Sequence, residues 1–297
     1  MSARTLARQA SRLLPAPLLA YLRKRHRHSL AAQRARLRNA ALARHGQVTV
    51  AELADVLQGL GITAGSVLFV QTSFNDLHTF AGKPMELVKL LRQLAGPGGT
   101  LLMPAYTVDV PSSPAAPLDV ANLPTYTGIV NELFRRSPGV LRSLHPRHSV
   151  CAEGPLAAQL LAGHEACRYA DGPGSPLDRL RQMDGALILT LGLPPGFTSF
   201  LHWLEDHEPD RLPFPVHEPQ PKTYVLRHPA GHCVEVDDMQ VQSSVAARLN
   251  LAPVAAALGP DAFRWCSHRG LDIGLYFVKP FSERLVALRD QGVFHYH

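Results

Sequence analysis

The sequence predicts an α/β fold: a layered sheet with mainly parallel strands, flanked by helices, with a β-hairpin inserted late. Three observations predict it. Short continuous apolar runs at 66–71 ("SVLFVQ"), 100–106 ("TLLMPAY") and 186–193 ("ALILTLGL") suit strands buried on both faces. Segments with apolar residues at helical spacing lie between them, so strand and helix alternate. At 222–238 ("KTYVLRHPAGHCVEVDD") the period switches to two around a Pro-Ala-Gly turn, which reads as a hairpin on an exposed or separate sheet.

Taken in order, 48–62 ("VTVAELADVLQGLGI") reads as a helix with Thr49 as N-cap, Glu52 completing a capping box and Gly61 at the stop. The helix at 84–95 opens on Pro84, ends at "GPGG" and joins the first two strands as a parallel unit. Residues 108–124 form a Pro-rich loop without period. Helices follow at 127–136, opened by Thr-Gly, at 154–164, and at 175–183 with Ser175 as N-cap and Pro176 at the first position. After the third buried strand, "TSFLHWLED" (198–206) reads as the start of a helix capped by Thr198 or Ser199. "VAARLNLAPVAAALG" is a helix broken near Pro253, and "LYFVKPFSERLVALRD" is a last strand and a last helix capped by Ser282.

The net charge of +6 conceals two parts. Residues 1–45 hold 11 of the 30 Lys and Arg and no acid, leaving 19 basic against 24 acidic residues in the rest. The division expected is a basic N-terminal arm (1–45) and an α/β body (46–297) with a hairpin subregion at about 220–240. A nucleic-acid binder that is basic throughout would not be divided this way, and no nucleic acid is expected as a partner. The arm mixes Leu clusters with Arg as an interfacial amphipathic helix would, which makes a membrane surface a candidate partner; a helix packed on the body or on a partner subunit is the plainer reading. The four cysteines are far apart, no spacing reads as zinc, and no metal is expected. With no secretory apolar segment and no run near the roughly 18 residues that span a bilayer, a cytoplasmic protein is expected, with the inner membrane surface as a peripheral location. Neither a dinucleotide-binding glycine fingerprint nor a P-loop is present, and "GPGSPL" (172–177) reads as a turn.

Three segments could carry chemistry. His202 and Glu205 lie three apart on the helix after the third strand, so they share a face, and a carboxylate there can orient and stabilise an imidazole. Asp206 and Asp210 add negative charge that would draw a cationic substrate; a solvated charged face is the plain alternative. In "RSLHPRHSVCAEG" (142–154), His145 and His148 flank a proline ahead of Ser149 and Cys151. A Cys151–His148 hydrolase is disfavoured, because nothing near Cys151 would lower its pKa. "VQTSFNDL" (70–77) runs a strand into Thr72 and Ser73, where backbone N–H groups and hydroxyls could bind a phosphate or a pantetheine amide.

In this order, "LFVQTSF", "LAGPGGTLLMPAYT", "TGIVNELFRRSPGVLRSLHPRHSVCAEGP", "GPGSPLDRLRQMDGALILTLGL" and "TSFLHWLED" resemble the aminoglycoside 3-N-acetyltransferase-like family from about residue 48 to 290. "PFSERLVALRD" resembles that family's last helix, and the basic arm lies outside the resemblance. The resemblance implies an antibiotic-acetyltransferase fold distinct from that of GNAT enzymes. It also implies acetyl-CoA as co-substrate and direct N-acetylation of an aminoglycoside or amino-sugar. It makes His202 the general base and Glu205 its acidic partner, with His148 beside them. Thr72, Ser73, Phe74, Thr127, Gly128, His145 and Ser149 become the residues meeting the cofactor, and Arg142 and Arg147 are candidates for its phosphates. A small-molecule amine is the expected partner, and a homo-oligomer is a candidate assembly. Gln71 stands where the family usually has His, and the Pro-rich stretch departs from the antibiotic-modifying members. The resemblance implies relatives that act on amino-sugars or amino groups in surface-polysaccharide and natural-product pathways, beside the antibiotic-modifying members; the reading from a different class is a non-catalytic, membrane-associated scaffold in polysaccharide assembly.

Overall fold

The computed structural model describes residues 16–107, 110 and 116–296, with backbone alone for 16–27. A long helix α1 (Ala16–His45) leads into α2 (Val50–Leu60). Thr49 caps α2 by accepting from the Glu52 N–H at 3.1 Å, and Gly61 ends it in the left-handed region at φ 116°. The Glu52 carboxylate does not close a capping box; it turns to His268 at 2.9 Å. Strand β1 (Val67–Thr72), helix α3 (Pro84–Ala95) and strand β2 (Thr100–Pro104) form the expected parallel unit. Next come α4 (Ile129–Arg135), the short strand β3 (Leu141–Arg142), β4 (Val150–Glu153), α5 (Ala157–Leu161), α6 (Pro176–Arg181) and β5 (Leu187–Leu191). Helix α7 (Leu201–His207) follows β5, and β6 (Lys222–Arg227) pairs with β7 (Cys233–Asp238) as a separate two-stranded sheet. The chain closes with α8 (Ser243–Ala246), α9 (Ala252–Ala257), β8 (Phe263–His268), β9 (Leu271–Phe277) and α10 (Val278–Asp290).

Seven strands form one sheet in the order β3-β4-β2-β1-β5-β9-β8. The central strands β2, β1 and β5 are parallel, in register at Val67↔Thr100 and Leu68↔Leu187. Both flanks are antiparallel: β4 on β2, β3 on β4, β9 on β5 and β8 on β9. The sheet is buried on both faces. Leu68 and Val70 point into a core with α2, α3 and α4, while Phe69 points into a second core with the other helices, including α7 and α10. Side chains alternate along a strand, so Gln71 lies on the Phe69 side, toward α7. Because β2 and β5 flank β1 on opposite sides, a crevice opens at the carboxyl ends of these strands, where ligand sites of open α/β sheets form.

Three strands on the sheet's flanks, β3, β4 and β8, differ from the sequence reading, and β3 is only two residues long. β8 was not anticipated: its faces are half exposed, and its turn to β9 uses Arg269 and Gly270, both at positive φ (48° and 77°). That geometry is the tight hairpin turn, made here with an arginine in place of the usual Asn or Asp. β4 is buried yet only four residues long, too short to be read beside its prolines and histidines.

The Pro-rich loop lies partly outside the described residues; from Leu118 it bridges to Leu226 of the hairpin. α7 opens at Phe200 without a side-chain cap, because Thr198 and Ser199 are used elsewhere. Ser282 is interior to α10, which starts at Val278; Pro280 falls in the first turn, where its missing N–H costs nothing. Of α1, the side chains from His28 to Ala40 are all exposed. Arg34 interrupts the stripe that Leu30 and Leu37 would share, and Arg36 and Arg38 point to other sides, so this part is charged around its circumference rather than amphipathic. No described helix is long and apolar enough to cross a membrane.

Candidate active site

A cavity of about 280 Å³ occupies the crevice. Its walls come from the ends of β1 (Gln71, Thr72) and β2 (Pro104, Tyr106), from Thr127 and Asn131 at the start of α4, from the β3–β4 loop (His148), and from α7 with the residues before it (Thr198, Ser199, His202). His295, beyond α10, completes the wall.

Two histidine–carboxylate pairs meet there. His202 Nδ1 lies 3.1 Å from Glu205 Oε1 within α7, as the spacing predicts. Glu205 is fully buried, while the ring of His202 keeps one third of its surface open to the cavity. Burial opposes the charge on His202, but the Coulombic attraction and hydrogen bond of Glu205 outweigh it and push the imidazole up to about 9. Glu205 is likewise opposed by burial and held below the usual carboxylate range by His202 and by His295. The second pair is His148 Nδ1 with Asp171 Oδ2 at 2.9 Å. The His148 and His202 rings are 5.9 Å apart, and Tyr106 stacks on His148 at 4.7 Å.

A polar network fixes the opposite wall. Gln71 Oε1 accepts from Thr198 Oγ1 at 2.7 Å and from the Ser199 N–H at 3.1 Å. Its Nε2 donates to Ser199 Oγ at 2.8 Å, which also accepts from the Tyr106 hydroxyl at 2.9 Å. Burial, then the charge of Asp171, keeps Tyr106 well above its ordinary pKa, so it stays a donor. Gln71, the departure from the family pattern, thus braces the turn that delivers α7.

The remaining candidates separate into wall, neighbours and framework. Thr72 and Thr127 line the cavity. Ser73, Phe74 and Gly128 stand beside it without lining it: Ser73 bonds to Asp76, Phe74 packs edge-on against Phe80, and Gly128 precedes α4 at φ 115°. His145 and Ser149 are corrected to framework. His145 is fully buried, accepts the His148 N–H at 3.0 Å and stacks on His164, and burial drives its pKa well down. Ser149 is buried between Arg142 and the Ala105 carbonyl. Asp206 does not face a substrate either; it is buried, holding His217 at 2.7 Å and the Asp171 N–H at 2.8 Å. Asp210 is exposed beyond the end of α7 and away from the cavity. Arg142 and Arg147 are likewise unavailable to phosphates: Arg142 is held by Ser149, Leu123 and Ala105, and Arg147 is paired with buried Asp238. Cys151 is buried and its thiol pushed up to about 12 by burial, which removes it as a nucleophile.

Asp171, Tyr106, Asn131 and His295 were not singled out from the sequence. Asp171 precedes a Gly-Pro-Gly turn and His295 lies in the last turn of the chain, so neither has a spacing that marks it.

The fold and the cavity define an α/β protein with paired histidine–carboxylate groups at the carboxyl ends of the parallel strands at the centre of a mixed sheet. The aminoglycoside 3-N-acetyltransferase family profile matches residues 69–265, and the chain belongs to this family. Among its relatives, aminoglycoside N(3)-acetyltransferase IV from Salmonella sp is 36% identical over 157 residues, covering 52% of this chain and 58% of that protein. The chain thus spans a little over half the length of the curated relatives it matches. The crystal structure of aminoglycoside acetyltransferase AAC(3)-Xa is similar with a TM-score of 0.71 at 24% identity, covering 86% of this chain and 98% of that one. A mutant of AAC(3)-IVa in complex with a gentamicin is similar with a TM-score of 0.67 at 27% identity, covering 84% and 91%.

Proposed function

We propose that the chain is an acetyl-CoA-dependent N-acetyltransferase that acetylates an amine of an aminoglycoside or amino-sugar by direct transfer, with His202 as general base. The observation that carries this reading is the His202–Glu205 pair, with a buried carboxylate behind a ring that opens on the cavity. Family membership and the gentamicin complex of a relative support the choice of reaction and acceptor class.

Acetyl-CoA supplies the acetyl group as a thioester, and the chain's residues suit its amide-rich arm. Thr72 Oγ1 and Asn131 Oδ1 belong to residues that line the cavity and have no hydrogen-bond partner among the described residues, which leaves both able to accept from amide N–H groups. Among the described residues no Lys or Arg lines the cavity, so the cavity suits the acetylated end rather than the phosphates. With Nδ1 engaged by Glu205, His202 offers Nε2 to the cavity. There it takes the proton that the attacking amine loses as the carbon–nitrogen bond forms and the carbon–sulfur bond breaks; the sulfur leaves as thiolate and takes that proton from the imidazolium. Glu205 holds the tautomer and stabilises the imidazolium that results. Buried Glu205, held below the usual carboxylate range, places negative charge behind the His202 wall, which favours a cationic acceptor. His148, oriented by Asp171, stands close enough to hold the same acceptor.

Within this reading the body from residue 46 is the catalytic unit and α1 an appended arm. The non-catalytic scaffold is not favoured, because both histidine–carboxylate pairs are assembled. The arm's charge fits an anionic lipid surface, each basic residue adding about 1 kcal/mol near it. Arg34→Glu, Arg36→Glu and Arg38→Glu together should abolish sedimentation with phosphatidylserine vesicles. Equal sedimentation of wild type and variant would contradict this partner. The reaction itself is tested by His202→Ala: turnover should fall by about 10²–10⁴-fold in a variant that stays folded, with a melting temperature lowered because buried Glu205 loses a partner. A variant that turns over as the wild type does removes His202 as the base.

A further inference from the structure

The C-terminal tail carries a group that neither the family match nor the resemblance reaches, since these end near residues 265 and 290. After α10 the chain reverses at Gly292, whose φ of 81° lets the Val293 N–H return to the Leu288 carbonyl at 2.8 Å. The tail is then pinned to the body. Tyr296 bridges to Leu249, and the Asn250 N–H donates to the His295 carbonyl at 2.8 Å. Phe294, His295 and Tyr296 are all buried, with the His295 ring wedged between its neighbours at 4.3 and 4.6 Å. From this seat His295 Nε2 reaches Glu205 Oε1 at 2.6 Å. Arg289, buried at the end of α10, pairs with Glu208 just past α7 at 2.6 Å, which ties the tail's point of departure to the helix it serves.

Glu205 is therefore gripped from two sides. His202 Nδ1 approaches both of its oxygens, at 3.1 and 3.2 Å, and His295 holds Oε1. We propose that His295 is a positioning residue, and that the C-terminal tail completes the site by clamping the Glu205 carboxylate against His202 in a His–Glu–His arrangement. This inference rests on His202 being the base. His295 Nε2 lies at donor distance from Glu205 Oε1, and its Nδ1 is buried without a partner among the described residues. A hydrogen bond to the carboxylate draws electron density from it and moderates its pull on the His202 proton. The groups bearing on His202 are Glu205 and Asp206 of α7, Asp171 before α6, His148 of the β3–β4 loop, and the tail through His295. Of these, His295 acts on His202 through its hydrogen bond to the Glu205 carboxylate, and its neighbour Tyr296 also faces Glu205.

The test is an NMR titration of the labelled His202 ring in the wild type, His295→Ala and His295→Gln, with turnover and melting temperature measured on the same samples. Removing the donor should raise the His202 titration midpoint by about half a pH unit or more. Turnover near neutral pH should fall by roughly 10–100-fold, as expected for losing a group that orients an imidazole, with little change in KM. Gln, which keeps an N–H, should return both toward wild type. A His202 midpoint that does not move in His295→Ala overturns the proposal whatever happens to turnover, and a lowered melting temperature alone then marks the tail as packing. A midpoint that shifts and is restored by Gln while turnover stays at the wild-type rate sustains the clamp and rejects His202 as the base.

Discussion

Glu205 and His202 tie the proposed chemistry to pH. The imidazole is held at about 9 against 6.5 for the free group, so it is mostly protonated at neutral pH and unable to accept a proton. The rate for a fixed amine should therefore climb from neutral pH toward about 9 as the unprotonated fraction grows, with the limb set by His202. A pH–rate profile that is flat from 7 to 9 would contradict that limb. The same shifts affect stability. His202 has a raised pKa in the folded state, so its contribution is full below 6.5 and is lost as pH rises through about 9. Glu205 is lowered from 4.5, so its contribution is present above that value and is lost as pH falls below it. Melting temperature should decline on both sides of this window, and Glu205→Gln should flatten both limbs. Gln71 makes a prediction of its own. Gln71→Leu strands the Thr198 and Ser199 partners at a partly buried wall and should cost about 1–3 kcal/mol, measured as a drop in the denaturant midpoint.

At the scale of elements, close approaches at the strand ends shape the cavity. Gly192, just after β5, has φ 68°, and a Cβ there would lie 2.7 Å from the Ser73 carbonyl on the loop after β1. Gly192→Ala should therefore combine backbone strain with a clash, costing about 1–3 kcal/mol and displacing the loop that carries Thr72, seen as lower stability together with weaker acetyl-CoA binding. The elements legible from sequence are those whose pattern is local. The three central strands are continuous apolar runs, α2 is bounded by Thr49 and Gly61, α6 is capped by Ser175, and the hairpin alternates with period two. Those missed take their identity from tertiary partners. β8 pairs with β9 through a turn in which Arg269 sits at positive φ, and Thr198 and Ser199 leave the α7 cap position for Gln71. The site divides in the same way. His202 and Glu205 share one helix and were readable from their spacing. His148 and Asp171 are 23 residues apart, and His295 and Glu205 are 90 apart; only the folded chain brings these together. Asp206 follows Glu205 directly and so points to another side of α7, into the core toward His217, where the negative charge of the segment alone could not place it.

Across the whole molecule, two apolar cores grip a seven-stranded sheet and leave its carboxyl edge open, while α7, the β3–β4 loop and the C-terminal tail converge on the opening. The acid-free arm carries α1 with its side chains from His28 to Ala40 in solvent, distinct in charge from this body. The account makes the body a catalyst whose acceptor is a small cationic amine and whose base is one imidazole on α7. The most direct measurement is release of free CoA from acetyl-CoA by the full chain, with a panel of aminoglycosides and nucleotide-linked amino-sugars, alongside His202→Ala. The account predicts acceptor-dependent CoA release matched one-for-one by N-acetylated product with at least one amine, and its loss in the variant. Folded wild-type protein that releases no CoA with any amine of the panel, or releases it equally without His202, would contradict it.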